Sequence, residues 1–197
     1  MRVDRVSKWL ARFSPTAHRA IRRPWCLIGP YLPVEDGYWL ERRDFNYYAE
    51  VVRLSRTYVP DGGSVIDVGG GAAQLLQRLD GFEHRVALEP GRMRRQTGIE
   101  QVQGNFFAYQ AARVFDLVLN LQVIEHLHAP AVFARKLFDT GRIVIISVPY
   151  RWPAGAHRPH VQDPVDEEKL ASWTGRTPTE TLVVRDKPER LISVYAP

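Results

Sequence analysis

The chain has 197 residues, of which 45% are hydrophobic and 25% charged, a composition that suits one globular domain and argues against a disordered or fibrous protein. Its formal net charge is +5, but seven basic side chains and one acidic side chain fall in the first 25 residues, so the remainder is near neutral. The single cysteine, Cys26, excludes an internal disulfide and a thiolate metal cluster, and no apolar run approaches the roughly 20 residues that cross a bilayer.

Residues 1–37 are predicted to form a basic helical arm followed by a connector. Apolar residues recur at helical spacing between Val3 and Phe13, and Ser14-Pro15 is typical of the start of a second short helix. The residues leave open whether this arm packs on the domain, covers a substrate, makes a peripheral membrane contact or meets nucleic acid. Because the arm lacks the apolar centre of a signal peptide, we expect a cytoplasmic protein.

From residue 38 the chain shows a helical pattern that continues to residue 58, followed by alternating strands and helices. Strands are predicted at 64–69, 84–89, 99–104, 115–121 and 142–148, and helices at 71–80 and 129–139. Apolar strands separated by helix-length segments predict a parallel sheet with helices on both faces.

The last part of the chain predicts a helix at 166–173 and two further strands at 180–185 and 190–195. The connection between these strands is too short for a parallel crossover, so the strands are expected to pair as an antiparallel hairpin. The predicted fold is a doubly wound α/β domain over residues 38–197, with a mostly parallel seven-stranded sheet, a C-terminal antiparallel hairpin and an N-terminal helical arm.

The most informative motif lies where the first predicted strand ends, at Asp67-Val68-Gly69-Gly70-Gly71. Small residues at a strand-to-helix corner let the backbone pass close to a ligand, and Glu89, which ends the next strand, can hold a ribose. The pair predicts a nucleoside-cofactor pocket, with a ligand-free tight turn as the alternative. A dinucleotide oxidoreductase is disfavoured because Gln74 stands where the glycine motif needs its final small residue.

Several features together resemble the class I S-adenosylmethionine-dependent methyltransferases over residues 40–197. They are the Asp-x-Gly-x-Gly corner, the acid that closes the second strand, a polar residue that closes the third and the terminal hairpin. The segment 115–127 is also similar to the fourth-strand motif of this class. Ala73 departs from the pattern, which commonly has a third glycine there, and suits close packing if its backbone angles are helical.

The resemblance implies S-adenosylmethionine as the cofactor and assigns eight residues to it. Four belong to the first two strand ends: Asp67, Gly69 and Gly71 would line the methionine and ribose, and Glu89 would accept hydrogen bonds from the ribose hydroxyls. Four belong to the third and fourth strand ends, and they would contact the adenine (Asn105, Phe106) and border the sulfonium (Asn120, Leu121).

Candidate catalytic residues follow the fourth and fifth strands. Glu125 and His126 come after the fourth, and His157 and His160 lie in the loop after the fifth, so both groups are expected at the same edge of the sheet. His126 or His157 could act as the general base, and purely structural histidines are the alternative. For His160, together with Asp163, fixing the loop is the favoured interpretation.

The same histidines bear on whether a metal is bound. The Glu-His pair and the later histidines resemble metal-dependent methyltransferases of small-RNA 3′ ends and ubiquinone-type O-methyltransferases. In the RNA enzymes a further glutamate precedes the pair by three residues, and here that position is Gln122. An amide is a poorer ligand for a divalent cation than a carboxylate, so a metal held by Glu125, His126 and His157 is not the favoured expectation.

The predicted function is methyl transfer from S-adenosylmethionine to a hydroxyl of a small-molecule, sugar or lipid-linked acceptor. Trp152 and Tyr150 would form the floor of the acceptor pocket or pack in the core. Two alternatives stay open: 2′-O-methylation of RNA 3′ ends, which the near-neutral body disfavours, and a non-catalytic partner subunit that binds S-adenosylmethionine. The sequence indicates neither the acceptor nor the oligomeric state.

Overall fold

The structure of the protein, a computed structural model, describes residues 43–71, 73–93 and 95–197. The arm predicted at 1–37 and the first residues of the helix predicted at 38–58 lie outside the described residues. Within the described part of the chain, no helix is both long and apolar enough to span a membrane.

The predicted order of strands and helices is confirmed. The helices are α1 (Asn46–Tyr58), α2 (Gln74–Gln77), a short 3-10 helix (Ile124–His126), α3 (Pro130–Thr140) and α4 (Glu167–Thr174). The strands are β1 (Gly63–Val68), β2 (Phe82–Glu89), β3 (Glu100–Gln103), β4 (Phe115–Leu121), β5 (Gly141–Pro149), β6 (Glu180–Val184) and β7 (Arg190–Tyr195). Each strand differs from its predicted bounds by at most two residues at either end.

The seven strands form one sheet in the order β3-β2-β1-β4-β5-β7-β6. All pairs are parallel except those of β7, which is antiparallel to both β5 and β6. This confirms the mostly parallel sheet with a C-terminal antiparallel hairpin. Because β1 lies between β2 and β4, the loops that leave β1 and β4 diverge at the carboxyl edge, which is where doubly wound sheets bind ligands.

Helices cover both faces of this sheet. On one face α3 buries Phe133 and Leu137, and on the other α1 buries Val51 and Leu54. The central strands β1 and β5 are buried along almost their whole length because both of their faces are covered. The sheet is therefore a rigid support for the loops at its carboxyl edge.

Helix α2 is shorter than predicted, covering Gln74–Gln77 instead of 71–80. Gly71 and Ala73 have left-handed backbone angles, with φ of 60° and 62°, so a helix cannot begin before Gln74. The helix ends where the N–H groups of Arg78 and Leu79 donate to carbonyls three residues back, a tighter turn than an α-helix allows. Ala73 does not have the helical angles under which close packing is expected, yet its methyl group is fully buried.

Candidate active site

The glycine corner after β1 packs against the loop after β4. Gly69 has φ of 85°, and a Cβ built on it would lie 2.6 Å from Val123 Cγ2. A Cβ on Gly70 would lie 2.0 Å from Asp67 Oδ2, so the bare backbone at this position makes room for the Asp67 side chain. Glycine is required here by close approach as well as by backbone angle.

Glu89 joins the end of β2 to this corner. Its carboxylate accepts hydrogen bonds from the N–H of Gly71 at 3.3 Å and the N–H of Gly91 at 3.0 Å. The side chain is buried. The structure therefore brings together the two features that the sequence motif linked, because the ends of neighbouring parallel strands meet at one edge.

Asp67 is buried at the same corner, with 1% of its surface exposed. Its Oδ1 has no hydrogen-bond partner within the described residues. Burial, and then the neighbouring charge of Glu89, raise the pKa of Asp67 to about 7. A buried acceptor without a donor is uncommon in folded proteins, so Oδ1 fits a ligand that brings a cationic amino group or another donor.

Replacing Asp67 with Asn should stabilise the ligand-free protein progressively as the pH rises from about 4 to 8, with no further change at higher pH. A carboxyl group whose pKa rises on folding binds protons in the folded state, so its contribution to stability falls as the pH increases through that pKa. Asparagine does not ionise, and at 1.36 kcal/mol per pKa unit the gain at alkaline pH is up to about 4 kcal/mol. Thermal unfolding of both proteins across this range checks the prediction, and a pH-independent difference would contradict it.

The polar residue that ends β4 extends the corner. Asn120 is fully buried, its Nδ2 donates to the carbonyl of Val68 at 2.9 Å, and its Oδ1 has no hydrogen-bond partner in the described segments. Leu121, the last residue of β4, is half-buried beside it. Asp67 and Asn120 thus present two buried acceptor oxygens near the point where β1 and β4 separate.

The two residues predicted to contact adenine are placed differently from each other. Asn105 is half-buried after β3, and its Oδ1 accepts a hydrogen bond from the N–H of Phe107 at 2.9 Å. Phe106 is fully buried and packs against Phe133, with ring centroids 5.1 Å apart. Its ring has no exposed face that could cover an adenine, so the structure gives Phe106 a core position instead of the predicted one.

A buried cluster of one carboxyl and two imidazole groups lies at the carboxyl ends of β4 and β5, and this part of the site is termed the acceptor end because a methyl acceptor is expected there. Glu125 and His126 lie in the 3-10 helix after β4, and His160 comes from the loop after β5. His126 Nε2 is 3.7 Å and His160 Nε2 is 4.0 Å from Glu125 Oε1. The sequence predicts these residues at one edge of the sheet, and the structure brings both imidazoles within 4.0 Å of the Glu125 carboxyl group.

Backbone and side-chain contacts fix both rings of the cluster. His126 Nδ1 lies 3.2 Å from the carbonyl oxygen of Pro159, and His160 Nδ1 lies 2.7 Å from Asp163 Oδ2. Because a carbonyl can only accept, the first contact places a proton on His126 Nδ1. The predicted role of His160 and Asp163 is to fix the loop. Their contact also sets the orientation of the His160 ring.

Burial shifts the pKa of each group in the cluster toward its neutral form. It raises the pKa of Glu125 to about 8 and that of Asp163 to about 6. It also lowers the pKa of His126 to about 3 and that of His160 to about 4, in each case with help from a neighbouring histidine. At neutral pH both imidazoles therefore carry lone pairs and are weak bases.

His157 lies at the rim of this cluster. Its ring centroid is 4.6 Å from that of His160, 6.5 Å from that of His126 and 6.3 Å from that of Trp152, and its side chain is half-buried. The predicted ligand set of Glu125, His126 and His157 is therefore corrected: His160 takes the third position. The path of the loop at 150–165 decides between the two histidines, and local sequence does not.

The donor atoms of the corrected set fit a divalent metal. Glu125, His126 and His160 each offer one ligand atom, and these atoms all lie within 4.8 Å of one another. Both oxygens of Glu125 are buried without a hydrogen-bond partner in the described part of the chain. Gln122 does not join them through its amide nitrogen, which donates to Ser147 Oγ at 3.1 Å.

The sequence motifs did not point to Arg190, which begins β7 and is 6% exposed. Its guanidinium carbon lies 5.0 Å from the ring centroid of Trp152, and its charge lowers the pKa of Glu125 and of His160. The antiparallel pairing of Arg190 with Pro149 brings it to the carboxyl end of β5. The sequence signal that could have identified Arg190 is an arginine at the start of a buried strand.

The two aromatic residues predicted for the acceptor pocket make different contacts. Trp152 is half-buried, and its ring centroid is 5.3 Å from that of His160, which places it beside the cluster. The hydroxyl of Tyr150 donates to Glu167 on α4 at 3.0 Å, and its ring packs at the edge of the core. Trp152 is therefore the aromatic residue of this pair that borders the site.

Comparison with known proteins agrees with this geometry. A family model described as a methyltransferase domain matches residues 38–184. No curated protein matches the chain.

Solved structures share the fold at low identity. One is the Burkholderia thailandensis 1,6-didemethyltoxoflavin-N1-methyltransferase with 1,6-didemethyltoxoflavin and S-adenosylhomocysteine bound, with a TM-score of 0.65, 17% identity and 81% of each chain covered. Another is the N-methyltransferase NodS from Bradyrhizobium japonicum WM9 with S-adenosylhomocysteine, with a TM-score of 0.64, 14% identity and 98% of each chain covered. A third comes from the complex between the Haloferax volcanii Trm112 methyltransferase activator and the putative methyltransferase, with a TM-score of 0.69, 13% identity and 100% of each chain covered.

The family model spans more than half of the chain, and the glycine corner and the acid that ends β2 lie together as the fold requires. The chain belongs to the methyltransferase domain family, and it is an S-adenosylmethionine-dependent methyltransferase.

Proposed function

We propose that this enzyme methylates a hydroxyl group of a small-molecule, sugar or lipid-linked acceptor, with His157 as the general base. The observation that carries the proposal is the half-buried His157 at the rim of a buried carboxyl-imidazole cluster, at the carboxyl ends of β4 and β5. A hydroxyl must lose its proton when it is methylated, so the site of an O-methyltransferase needs a nearby proton acceptor.

His157 suits the role of general base better than His126. A general base works best when its pKa lies near the operating pH, and burial lowers the pKa of His126 to about 3. His126 Nε2 is also directed toward Glu125 inside the cluster. His157 has solvent access and lies near Trp152, so it can meet an acceptor at the rim.

The glycine corner is proposed to hold the cofactor, which supplies an activated methyl group on a sulfonium. Asp67 Oδ1 and Asn120 Oδ1 are buried acceptors that would pair with the amino group of its methionine part. A carboxylate has about four lone-pair positions, so Glu89 can hold the corner and the ribose hydroxyls together. Gly69 and Gly71 let the backbone approach, and Asn105 and Leu121 would border the adenine and the sulfonium.

In the reaction, the residues at the rim align the acceptor and receive its proton. Bound S-adenosylmethionine would supply the activated methyl group to the acceptor oxygen and leave as S-adenosylhomocysteine, and His157 would receive the hydroxyl proton. Trp152 would exclude water on one side of the acceptor, since its ring borders the cluster. Positioning and proton transfer are the chain's contribution to the rate.

Replacing Gly70 with Ala should weaken S-adenosylmethionine binding by about 10-fold or more. The added Cβ would lie 2.0 Å from Asp67 Oδ2, so the carboxylate must leave its place beside the cofactor; the loss of one charge-assisted hydrogen bond corresponds to about 1.5–3 kcal/mol. Gly81→Ala is the control, because nothing lies within 4 Å of a Cβ there. Calorimetric titration checks the prediction, and equal affinities for Gly70→Ala and Gly81→Ala would contradict it.

The class of acceptor is tested by incubating the enzyme with methyl-labelled S-adenosylmethionine and fractionated cell extract. Labelled products are then identified by mass spectrometry. A methyl ether as the main product supports the proposal. A labelled amine would overturn it in favour of an N-methyltransferase. Labelled RNA that releases its label when the 3′-terminal nucleotide is removed would overturn it in favour of an RNA enzyme.

The cytoplasmic location and a peripheral membrane contact through the basic arm stay predictions, because the arm lies outside the described residues. The near-neutral charge of the remaining chain supports a small or lipid-linked acceptor over a nucleic acid.

A further inference from the structure

Two surface segments at the acceptor end carry exposed positive charge: the loop at 150–165 after β5 and the turn at 185–189 between β6 and β7. The turn lies beside the start of the loop, because the N–H of Tyr150 donates to the carbonyl of Glu189 at 3.1 Å. Both segments therefore lie at the carboxyl end of β5, as His157 does. Four exposed basic side chains of these segments, termed the basic rim, are Arg151, Arg158, Arg185 and Lys187.

The carboxyl groups of the same two segments mostly point inward. The side chain of Asp163 is 1% exposed and contacts a histidine of the buried cluster at 2.7 Å. Asp186 is 8% exposed, and it accepts hydrogen bonds at 2.9 Å from the N–H groups of Asn46 and Tyr47 at the start of α1. Glu189 is the one exposed acid of the two segments, which the structure describes completely. The basic rim therefore has a surplus of positive charge that its own segments do not balance.

The side chains of the basic rim have few partners. Arg151 lies 3.7 Å from a carboxylate oxygen of Glu167 on α4, but its side chain is 64% exposed, and such exposed ion pairs contribute little. The side chains of Arg158, Arg185 and Lys187 form no hydrogen bond or ion pair with the described residues. Guanidinium and ammonium groups only donate hydrogen bonds, so this surface fits a ligand that brings negatively charged acceptor oxygens.

The backbone of Arg151 supports a role for its side chain. Its φ of 52° lies in the left-handed region, which glycine adopts without strain and arginine does not. The N–H of Arg151 donates to the carbonyl of Val165 at 2.7 Å, which helps to hold this conformation. The neighbouring Trp152 lies beside the buried cluster, whereas the Arg151 guanidinium lies 4.9 Å from the ring centroid of Tyr150. Strained residues are commonest at ligand-binding and catalytic sites, so this angle favours a functional position.

We propose that the basic rim binds a phosphate group of the methyl acceptor, with Arg158 as its main contact. Arg158 directly follows His157, so a phosphate held there would lie within the length of one small molecule from the proposed general base. A guanidinium can contact two phosphate oxygens at once, and a phosphate with about two negative charges balances the surplus better than a carboxylate with one. This inference rests on the proposed function, and it narrows the acceptor to a phosphorylated small molecule or a lipid-linked phosphate.

The first test is calorimetric titration of the full chain with inorganic pyrophosphate at low ionic strength. We expect saturable binding, which Arg158→Ala should weaken by about 10-fold or more because a charge-assisted contact is lost. Arg158→Lys should lose less, since it keeps the charge but not the paired contact. Arg135→Ala is the matched control, because Arg135 is an exposed arginine on α3 outside the two segments. No saturable binding, or equal affinities for Arg158→Ala and Arg135→Ala, would overturn the proposal.

Two further titrations identify the source of the phosphate. Glycerol phosphate represents a soluble acceptor, with glycerol as its uncharged control. Phosphatidylcholine vesicles that carry dodecyl phosphate represent a lipid-linked acceptor, with plain phosphatidylcholine vesicles as the control. Binding of either probe that weakens in Arg158→Ala supports the proposal and identifies the source. Binding that Arg158→Ala does not weaken, or binding of neither probe, would overturn it.

The labelled products of the acceptor screen separate this inference from the proposed function. A methyl ether on an acceptor without a phosphate would overturn the role of the basic rim and leave O-methylation standing. A methylated amine on a phosphorylated small molecule or lipid would do the opposite, and labelled RNA would overturn both. With a phosphorylated acceptor, Arg158→Ala should raise KM by about 10-fold or more and change kcat little, because it removes binding that does not change during methyl transfer.

Discussion

Replacing Glu89 with Gln should weaken S-adenosylmethionine binding by about 100-fold or more. Hydrogen bonds to a charged group contribute about 1.5–3 kcal/mol each, and Glu89 is proposed to accept two from the ribose, so their loss corresponds to about 3 kcal/mol or more. The carboxylate is already held in place by the N–H groups of Gly71 and Gly91, so it needs little reorganisation to receive a ribose.

Calorimetric titration with S-adenosylmethionine and with S-adenosylhomocysteine measures this effect. Both ligands carry the ribose, so both affinities should fall by a similar factor. Glu83→Gln is the matched control, because Glu83 lies on the same strand but is exposed. If Glu89→Gln binds either ligand as tightly as the wild type, the ribose assignment of Glu89 is wrong.

Replacing His157 with Gln should reduce turnover by about 10²-fold or more while leaving the affinity for S-adenosylmethionine unchanged. A positioned general base contributes about 10²–10⁴-fold to the rate, and His157 lies at the rim beside Trp152 and His160. The loss should appear in kcat more than in KM, because the hydroxyl proton is removed during methyl transfer.

His128→Gln is the control for this experiment, because His128 lies in the loop after β4 but is exposed. The rate of label transfer to the identified acceptor is measured for both variants at saturating S-adenosylmethionine. Full activity in His157→Gln would exclude His157 as the base. A loss confined to His126→Gln would return that role to the buried cluster.

The Glu89 and His157 experiments separate the two ends of the site. Glu89 lies at the end of β2 and acts on cofactor affinity, whereas His157 lies after β5 and acts on the chemical step. If Glu89→Gln keeps its cofactor affinity but His157→Gln loses turnover, the proposed cofactor contacts are wrong and the assignment of the acceptor site stands. If Glu89→Gln loses affinity but His157→Gln keeps full turnover, the assignment of the cofactor site stands and another residue is the base.

The order and spacing of residues along the chain were enough to predict the sheet, its strand positions and the meeting of the glycine corner with Glu89. Both faces of β1 and β5 are covered, so the apolar runs at 64–69 and 142–148 are continuous enough to mark these strands without knowledge of the fold. The short connection before β7 was enough to predict an antiparallel hairpin. The corner and the carboxylate meet because neighbouring parallel strands end at the same edge, which is a property of the element order alone.

Which side chains share the acceptor end depends on long-range packing that the spacing of residues does not show. His157 and His160 are three residues apart in one loop, and the sequence gives no reason to prefer either as a partner of Glu125. Contacts across the chain place His160, including the N–H of Val161 donating to the carbonyl of Glu125 at 3.3 Å. Arg190 reaches the same place through the pairing of β7 with β5.

At the glycine corner and at the turn after β3, tertiary contacts also set details that the sequence pattern did not predict. The left-handed angle of Ala73 shortens α2, and Phe106 turns inward onto Phe133 instead of toward a ligand. Periodicity along the chain reports which residues prefer to be buried, because apolar burial repeats with the local geometry of a strand or helix. The direction of a loop side chain depends on long-range hydrogen bonds and packing, which have no counterpart in the spacing of nearby residues.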